Sequence, residues 1–259
     1  MKIIPLSENT SHYPEIENEH GLCLYIETSE YKILFDFGQS DLFCRNAKRL
    51  GIDIENVDIA ILSHGHYDHG GGHTAFRKSN SHAPLYVSQH AFDKFYSDKY
   101  IGLPDTVAGD PNLVFVHQTH TIAPGITLYS GNCVMFDKTT CGNLTTEQNG
   151  IRVPDDFRHE IYLLIQENGK SVLFSGCSHR GILQITKHFA PDVLIGGFHF
   201  KNLDPREYHT YLENAAATLC VQNTLYYTCH CTGIPQYNFL KERMGAQLHY
   251  LSCAKSIEI

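Results

Sequence analysis

A chain of 259 residues with 42% hydrophobic and 19% charged residues has a globular composition, which excludes a disordered chain and suits one large α/β domain. The net charge of −8 argues against a general nucleic-acid-binding surface, and no apolar run reaches the roughly 18 residues that cross a bilayer. Nine irregularly spaced cysteines, behind a start (Met1-Lys2-Ile3-Ile4-Pro5-Leu6-Ser7-Glu8) with no apolar signal core, read as reduced thiols of a cytoplasmic protein.

Short runs of β-branched and aromatic residues predict strands over residues 22–27, 32–37, 58–62, 85–88, 113–116 and 125–129. Helices fit residues 41–50 and 89–96 between them. Further strands are expected over 160–166, 171–174, 193–195, 224–227 and 247–251. Asn168-Gly169 between two of these is a hairpin signal, since both residues accept positive φ. Helices are expected over 178–189 and 235–244, and Asp204-Pro205-Arg206-Glu207 predicts an N-cap, a first-turn Pro and a capping-box Glu opening a helix toward Leu219. No repeat or linker composition divides the chain, so 1–259 is expected to form a single domain. A four-layer αββα sandwich, two mixed sheets face to face with helices outside, would bury both halves.

The segment that carries chemistry is Ile59-Ala60-Ile61-Leu62-Ser63-His64-Gly65-His66-Tyr67-Asp68-His69-Gly70-Gly71-Gly72. An apolar strand runs into three histidines and an aspartate. Residues two apart on extended backbone point the same way, so His64 and His66 can grip one cation. Asp68 and His69 diverge and suit a second cation beside it. Imidazole and carboxylate are donors that Zn²⁺, Mn²⁺ or Fe accept, and the glycines let the backbone turn sharply.

This His-x-His-x-Asp-His order resembles the signature of the metallo-β-lactamase fold superfamily. Phe35-Asp36-Phe37-Gly38 is similar to that family's strand-end Asp-x-Gly, which implies that Asp36 braces the metal loop; an aspartate satisfying a strand-end turn is compatible with the same residues. Tyr227-Thr228-Cys229-His230-Cys231-Thr232-Gly233 falls where the family places its last metal histidine. The resemblance therefore implies that His230 is a ligand, with Cys229 and Cys231 pointing away. A Cys-x-Cys zinc site is a rival, but no second cysteine pair lies nearby.

In Val172-Leu173-Phe174-Ser175-Gly176-Cys177-Ser178-His179-Arg180-Gly181-Ile182, Cys177 stands where common family members carry an aspartate that bridges both metals. Ser178 as an N-cap would set His179 in the first turn of a helix at the same strand end. His179 is accordingly expected to coordinate a metal. Cys177 is expected to lie at most beside the metals, with water, hydroxide or a substrate oxygen as the bridge. His159, near where other members place a metal histidine, is a candidate ligand or neighbour, and equally an exposed loop residue. His199, after an apolar strand and two glycines, is expected to face the substrate as proton donor or phosphate ligand. The histidines at 12, 73, 82, 90, 117, 120, 188, 209 and 249 read as surface or satisfied polar positions.

Gly176-Cys177-Ser178-His179, Gly196-Gly197-Phe198-His199, Cys229-His230-Cys231-Thr232-Gly233 and Glu19-His20-Gly21-Leu22 together resemble one subgroup, the 7,8-dihydropterin-6-methyl-4-(β-D-ribofuranosyl)aminobenzene-5′-phosphate synthases. That resemblance implies a phosphorylated or pterin-like substrate and release of pyrophosphate. The expected activity is hydrolysis of a small phosphorylated molecule through a metal-activated water. Asp68 and His199 would be catalytic, and His64, His66, Asp68, His69, His179 and His230 would hold two divalent cations, Zn²⁺ ahead of Mn²⁺ or Fe. The alternatives are the synthase-type transfer and a metal-bound sensor, binding or diiron redox protein. A small-molecule substrate is expected, and no membrane or nucleic-acid partner.

Overall fold

A computed structural model describes residues 1–136 and 142–259. In chain order the first strands are β1 (Lys2–Ser7), β2 (Cys23–Glu27), β3 (Lys32–Phe35), β4 (Ile59–Ile61), β5 (Leu85–Ser88), β6 (Phe95–Tyr96) and β7 (Leu113–Val116). They are followed by β8 (Thr119–Ala123), β9 (Ile126–Ser130), β10 (Thr145–Gln148), β11 (Ile151–Pro154), β12 (Ile161–Glu167) and β13 (Lys170–Ser175). Last come β14 (Val193–Gly196), β15 (Leu225–Thr228), β16 (Leu248–Tyr250) and β17 (Ile257–Glu258). One seven-stranded sheet has the order β17-β1-β2-β3-β4-β5-β7 and another β16-β15-β14-β13-β12-β9-β8, while β11-β10-β6 forms a small third sheet. Each large sheet is mixed: β1 to β3 are antiparallel and β3-β4-β5-β7 parallel, and β12-β13 is antiparallel whereas β13 to β16 run parallel.

Side-chain alternation explains the layering. Ile59 and Ile61 of β4 join Leu163, Phe174 and Ile195 in the core between the sheets. Ala60 and Leu62 face the other way, toward the helix α1 (Leu42–Arg49). In the second sheet Tyr162, Leu173 and Leu194 alternate outward onto the helices α5 (Ile182–Phe189), α6 (His209–Cys220) and α7 (Ile234–Met244). Strands buried on both faces read as unbroken apolar runs, as these do. The result is the four-layer αββα arrangement. The short helices α2 (Tyr67–Gly70), α3 (His73–Ser79) and α4 (Asp105–Ala108) complete the first half. No helix among the described residues is long and apolar enough to cross a membrane.

Three local expectations fail for identifiable reasons. Residues 89–96 form turns and then β6, because Phe95 and Tyr96 pair with Thr146 and Thr145 of β10. Asp204 starts a closed turn: its carboxylate accepts the Arg206 N–H and its carbonyl accepts those of Glu207 and Tyr208, so the helix opens later, at His209. Ser178 lies outside α5, whose N-cap is Gly181.

Candidate metal centre

The parallel halves of both sheets end at one edge, and the loops leaving those ends converge there. Four of the turns contain non-glycine residues in the left-handed region: Asp36 (φ 64°) after β3, Ser178 (φ 56°) after β13, His199 (φ 54°) after β14 and His230 (φ 49°) after β15. Such conformations are disfavoured for side-chain-bearing residues and cluster where surrounding contacts hold them for a purpose.

His66 ends the strand-like run and α2 follows, so His64 and His66 project from extended backbone while Asp68 and His69 sit on the helical turn. Asp36 fixes this loop. Its carboxylate accepts the Ser63 N–H (2.7 Å), the Ser63 hydroxyl (2.7 Å) and His69 Nδ1–H (2.6 Å). With its hydroxyl proton given to Asp36, Ser63 Oγ accepts from His64 Nδ1 at 2.8 Å. Both rings therefore carry their proton on Nδ1 and turn an Nε2 lone pair into the site. Gly65 is required here, since a Cβ would meet the Ala91 carbonyl at 2.4 Å and the Phe95 ring at 2.5 Å.

Two donor sets result. The ligand atoms of His64, His66 and His179 lie within 4.8 Å of one another, all buried. His64 Nε2, His66 Nε2 and both nitrogens of His179 have no hydrogen-bond partner. An unsatisfied buried polar atom costs about 1–3 kcal/mol, so four together mark a place built for something else. In the second set, His230 Nε2 stands 3.3 Å from His69 Nε2 and 3.4 Å from Asp68 Oδ2. His230 Nδ1 is engaged by Asn9 Oδ1 at 2.8 Å, which leaves Nε2 a lone pair facing that of His69. Two lone pairs at this separation repel unless a cation lies between them. Tetrahedral Zn²⁺ with bonds of 2.0–2.1 Å separates its ligand nitrogens by about 3.3–3.4 Å. The residues present fit two divalent cations.

Electrostatics agree. Burial pushes His66 down to about 3, and burial, against the pull of Asp68, takes His230 to about 3. Burial and neighbouring imidazoles also hold His64 and His179 well below the usual histidine range. These rings are neutral at pH 7, as ligands must be. Burial alone would raise Asp68, yet the His20 Nε2–H bond and the neighbouring imidazoles hold it well below the usual carboxylate range.

The turn carrying Cys177 and His179 is held by Glu160, whose two oxygens accept the N–H groups of His179 (2.7 Å) and Arg180 (3.1 Å). Ser178 spends its hydroxyl on Ser175 instead of capping a helix. His179 thus reaches the site from a tight turn, stacked on Phe157 with ring centroids 4.4 Å apart. Cys177 Sγ is 3.2 Å from His69 Nε2. His159 is buried and not an exposed loop residue. It accepts the Gly65 N–H at Nδ1 and meets Asp155 at Nε2, so both nitrogens support the loop. His199 is 6% exposed and its ring centroid is 4.2 Å from that of His179. Cys229 packs in the core between the sheets, but Cys231 lines the cavity, contrary to the expectation that both thiols turn away.

A cavity of about 500 Å³ opens over the donors, lined also by Tyr67, Lys99, Lys201 and Asn202. Sequence reasoning missed Glu8, Asn9 and a role for His20. Glu8 accepts the His230 N–H at 2.6 Å, and His20 Nε2 meets Asp68 Oδ2 at 3.2 Å. The motif around His20 was visible, but nothing local pairs it with residues 68 and 230.

Residues 17–138 match the family model described as the Metallo-beta-lactamase superfamily. The chain is 27% identical to the 7,8-dihydropterin-6-methyl-4-(β-D-ribofuranosyl)-aminobenzene-5′-phosphate synthase of Methanocaldococcus jannaschii, over 100% of this chain and 96% of that one. An uncharacterized protein of the same organism, MJ0448, is 27% identical over 88% of this chain and 89% of its own length. Among solved structures, Tm1679, described as a metal-dependent hydrolase of the beta-lactamase superfamily, superimposes with a TM-score of 0.83 at 27% identity, covering 100% of this chain and 99% of that one.

Proposed function

From the metallo-β-lactamase superfamily domain that this chain carries, we propose a two-metal enzyme that hydrolyses a small phosphorylated molecule, with 1–259 working as one domain. The observation that carries this reading is the pair of buried donor sets, His64/His66/His179 and Asp68/His69/His230, with lone pairs directed inward and no protein partner for four of the nitrogens. Two divalent cations, Zn²⁺ ahead of Mn²⁺ or Fe, would supply Lewis acidity and ease deprotonation of a water at neutral pH.

The chain's own groups do the rest. Lys99 and Lys201 at the cavity wall balance the charge of a phosphorylated substrate, and Asn202 and Tyr67 offer it polar contacts. His199 lies against His179 and can pass a proton to the leaving oxygen. Asp68, held ionised between His20 and His230, remains a carboxylate throughout the neutral range. A reducing compartment, the cytoplasm, suits the unoxidised thiols of Cys177 and Cys231 in the cavity.

A second reading has its own support: the end-to-end similarity to a synthase favours a transfer that releases pyrophosphate. Hydrolysis of bis-p-nitrophenyl phosphate that rises with metal loading and disappears in Asp68→Ala supports the hydrolase. Pyrophosphate release requiring both a pterin and a phosphorylated cosubstrate, with no phosphodiester cleavage, would replace it with the transferase. Full metal content and activity in Asp68→Ala would overturn the two-metal assignment.

A further inference from the structure

We propose that Asn9 is a positioning residue that assigns opposite tautomers to two neighbouring imidazoles, so that His230 binds metal and His20 stays off it as a hydrogen-bond donor. This rests on the two-metal reading above. Distance alone does not separate the two rings. The ligand atoms of His20, Asp68 and His230 lie within 4.8 Å of one another, and the two ring centroids are 4.9 Å apart. Both rings present Nε2 to the same carboxylate oxygen, His20 at 3.2 Å and His230 at 3.4 Å from Asp68 Oδ2. By position, either could hold the second cation.

The side-chain amide of Asn9 breaks the tie. Its oxygen lies 2.8 Å from His230 Nδ1 and accepts the Gly21 N–H at 3.4 Å, while its nitrogen lies 3.3 Å from His20 Nδ1. A backbone N–H can only donate, so the amide oxygen must be the atom that faces Gly21. The reverse orientation would set two donors against each other. With the oxygen so placed, His230 Nδ1 carries the proton and donates it to Oδ1, leaving a lone pair on Nε2. The amide nitrogen can only donate, so His20 Nδ1 is an acceptor. A neutral imidazole has one proton to place, and in His20 it sits on Nε2 and is donated to Asp68. Asp68 supports the same assignment, since a lone pair on His20 Nε2 would face an anion at 3.2 Å.

The surrounding backbone keeps the amide in place. Glu8 accepts the His230 N–H and the Tyr250 hydroxyl on Oε1, and the Thr10 N–H and hydroxyl on Oε2. Asn18 Nδ2 donates to the Asn9 carbonyl at 2.8 Å. The segment bearing His20 is fixed separately. Glu19 accepts the Ser7 and Ser40 hydroxyls, and Gly21 packs so closely on the metal loop that a Cβ would lie 2.7 Å from the Asp68 carbonyl oxygen. The loop after β1 and the turn after β15 thus meet at one amide.

The test reads the tautomers directly, from ¹⁵N shifts and couplings of labelled histidines, with the two rings assigned through His20→Gln and His230→Gln. Spectra are taken at about pH 8, where an ordinary imidazole is neutral. In the metal-free wild type, His230 should carry Nδ1–H and His20 should carry Nε2–H. Zinc should move His230 Nε2 to a metal-bound shift while His20 keeps its Nε2 proton. Asn9→Leu, which neither accepts nor donates, should deplete the Nδ1–H form of His230 and weaken zinc binding about 10–100-fold. Asn9→Asp keeps the acceptor, so it should retain the His230 tautomer, and it guards against misfolding of the leucine variant. Matching tautomers in the wild type, displacement of the His20 proton by zinc, an unchanged His230 in Asn9→Leu or a lost Nδ1–H in Asn9→Asp overturns the inference. With two zinc equivalents bound, the two-metal reading survives any of these. No zinc binding by the wild type overturns both.

Discussion

Asp36 touches neither the substrate cavity nor its contents, yet three of its hydrogen bonds decide where His64 and His69 point. Asp36→Ala should weaken metal binding about 10–100-fold with every donor intact, measured by competition with a chromophoric chelator. An unchanged affinity would mean that the rings are oriented by something else. His199 makes the opposite case: His199→Ala should lower turnover by roughly 10²–10⁴-fold and leave metal content untouched. Metal loss would make it a ligand, and unchanged kinetics would return it to a packing role. What the sequence made legible follows from distance along the chain. His64, His66, Asp68 and His69 fall within six residues at a strand end, so the period of an extended chain already implies a shared target. Glu8, Asn9 and His20 meet His230 only because β1 and β15 end at the same edge, some 220 residues apart in sequence. No periodicity encodes that.

Elements with a local cause were readable and those with a distant partner were not. The helix α1 shows its buried face as Leu42, Phe43, Asn46 and Ala47, and α6 as Leu212, Ala215, Ala216 and Leu219, so helical spacing finds both. The Asn168-Gly169 hairpin is equally local, with both residues at positive φ between β12 and β13. The sheet of β6, β10 and β11 joins residues some 50 apart and offers Thr-Thr and Phe-Tyr dipeptides as its signal. Asn80, the C-cap of α3, shows how much one loop residue can organise. Its amide donates to the carbonyls of Ile54, Glu55 and Val57, and its oxygen accepts from His82 and Ala83. Asn80→Ala strands buried backbone groups on two segments and should lower unfolding stability by about 3 kcal/mol. Urea denaturation should show the loss as a lower midpoint at unchanged slope. A change below about 1 kcal/mol would mean that water satisfies those groups.

For the whole molecule, the site governs stability as well as chemistry. Without metal, His66 and His230 titrate at about 3 instead of near 6.5. Between those values the unfolded chain takes up protons that the folded chain refuses, so stability is fully present above pH 6.5 and drains as pH falls. Asp68, also depressed, adds a loss below its ordinary 3.8. His69 is raised, because the Asp36 charge overcomes burial, and works the other way, losing its contribution as pH climbs through its folded value. With His64 and His179 also depressed, four descending imidazoles against one predict a metal-free urea midpoint lower at pH 5 than at pH 7; equal midpoints would refute it. The left-handed residues after β3, β13, β14 and β15 bear on a different question, how such a protein responds to selection for heat resistance. Each departs from a conformation cheaper by roughly 1–2 kcal/mol, a strain that glycine would relieve. Ser178→Gly should raise the metal-free melting temperature by about 2–4 °C. It should also loosen the turn that carries Cys177 and His179, and a lower melting temperature would show that the lost Ser175–Ser178 hydrogen bond outweighs the strain relieved. At Ser178 thermal selection and selection for the site therefore pull in opposite directions, whereas Asp36, whose carboxylate holds three buried partners, resists both.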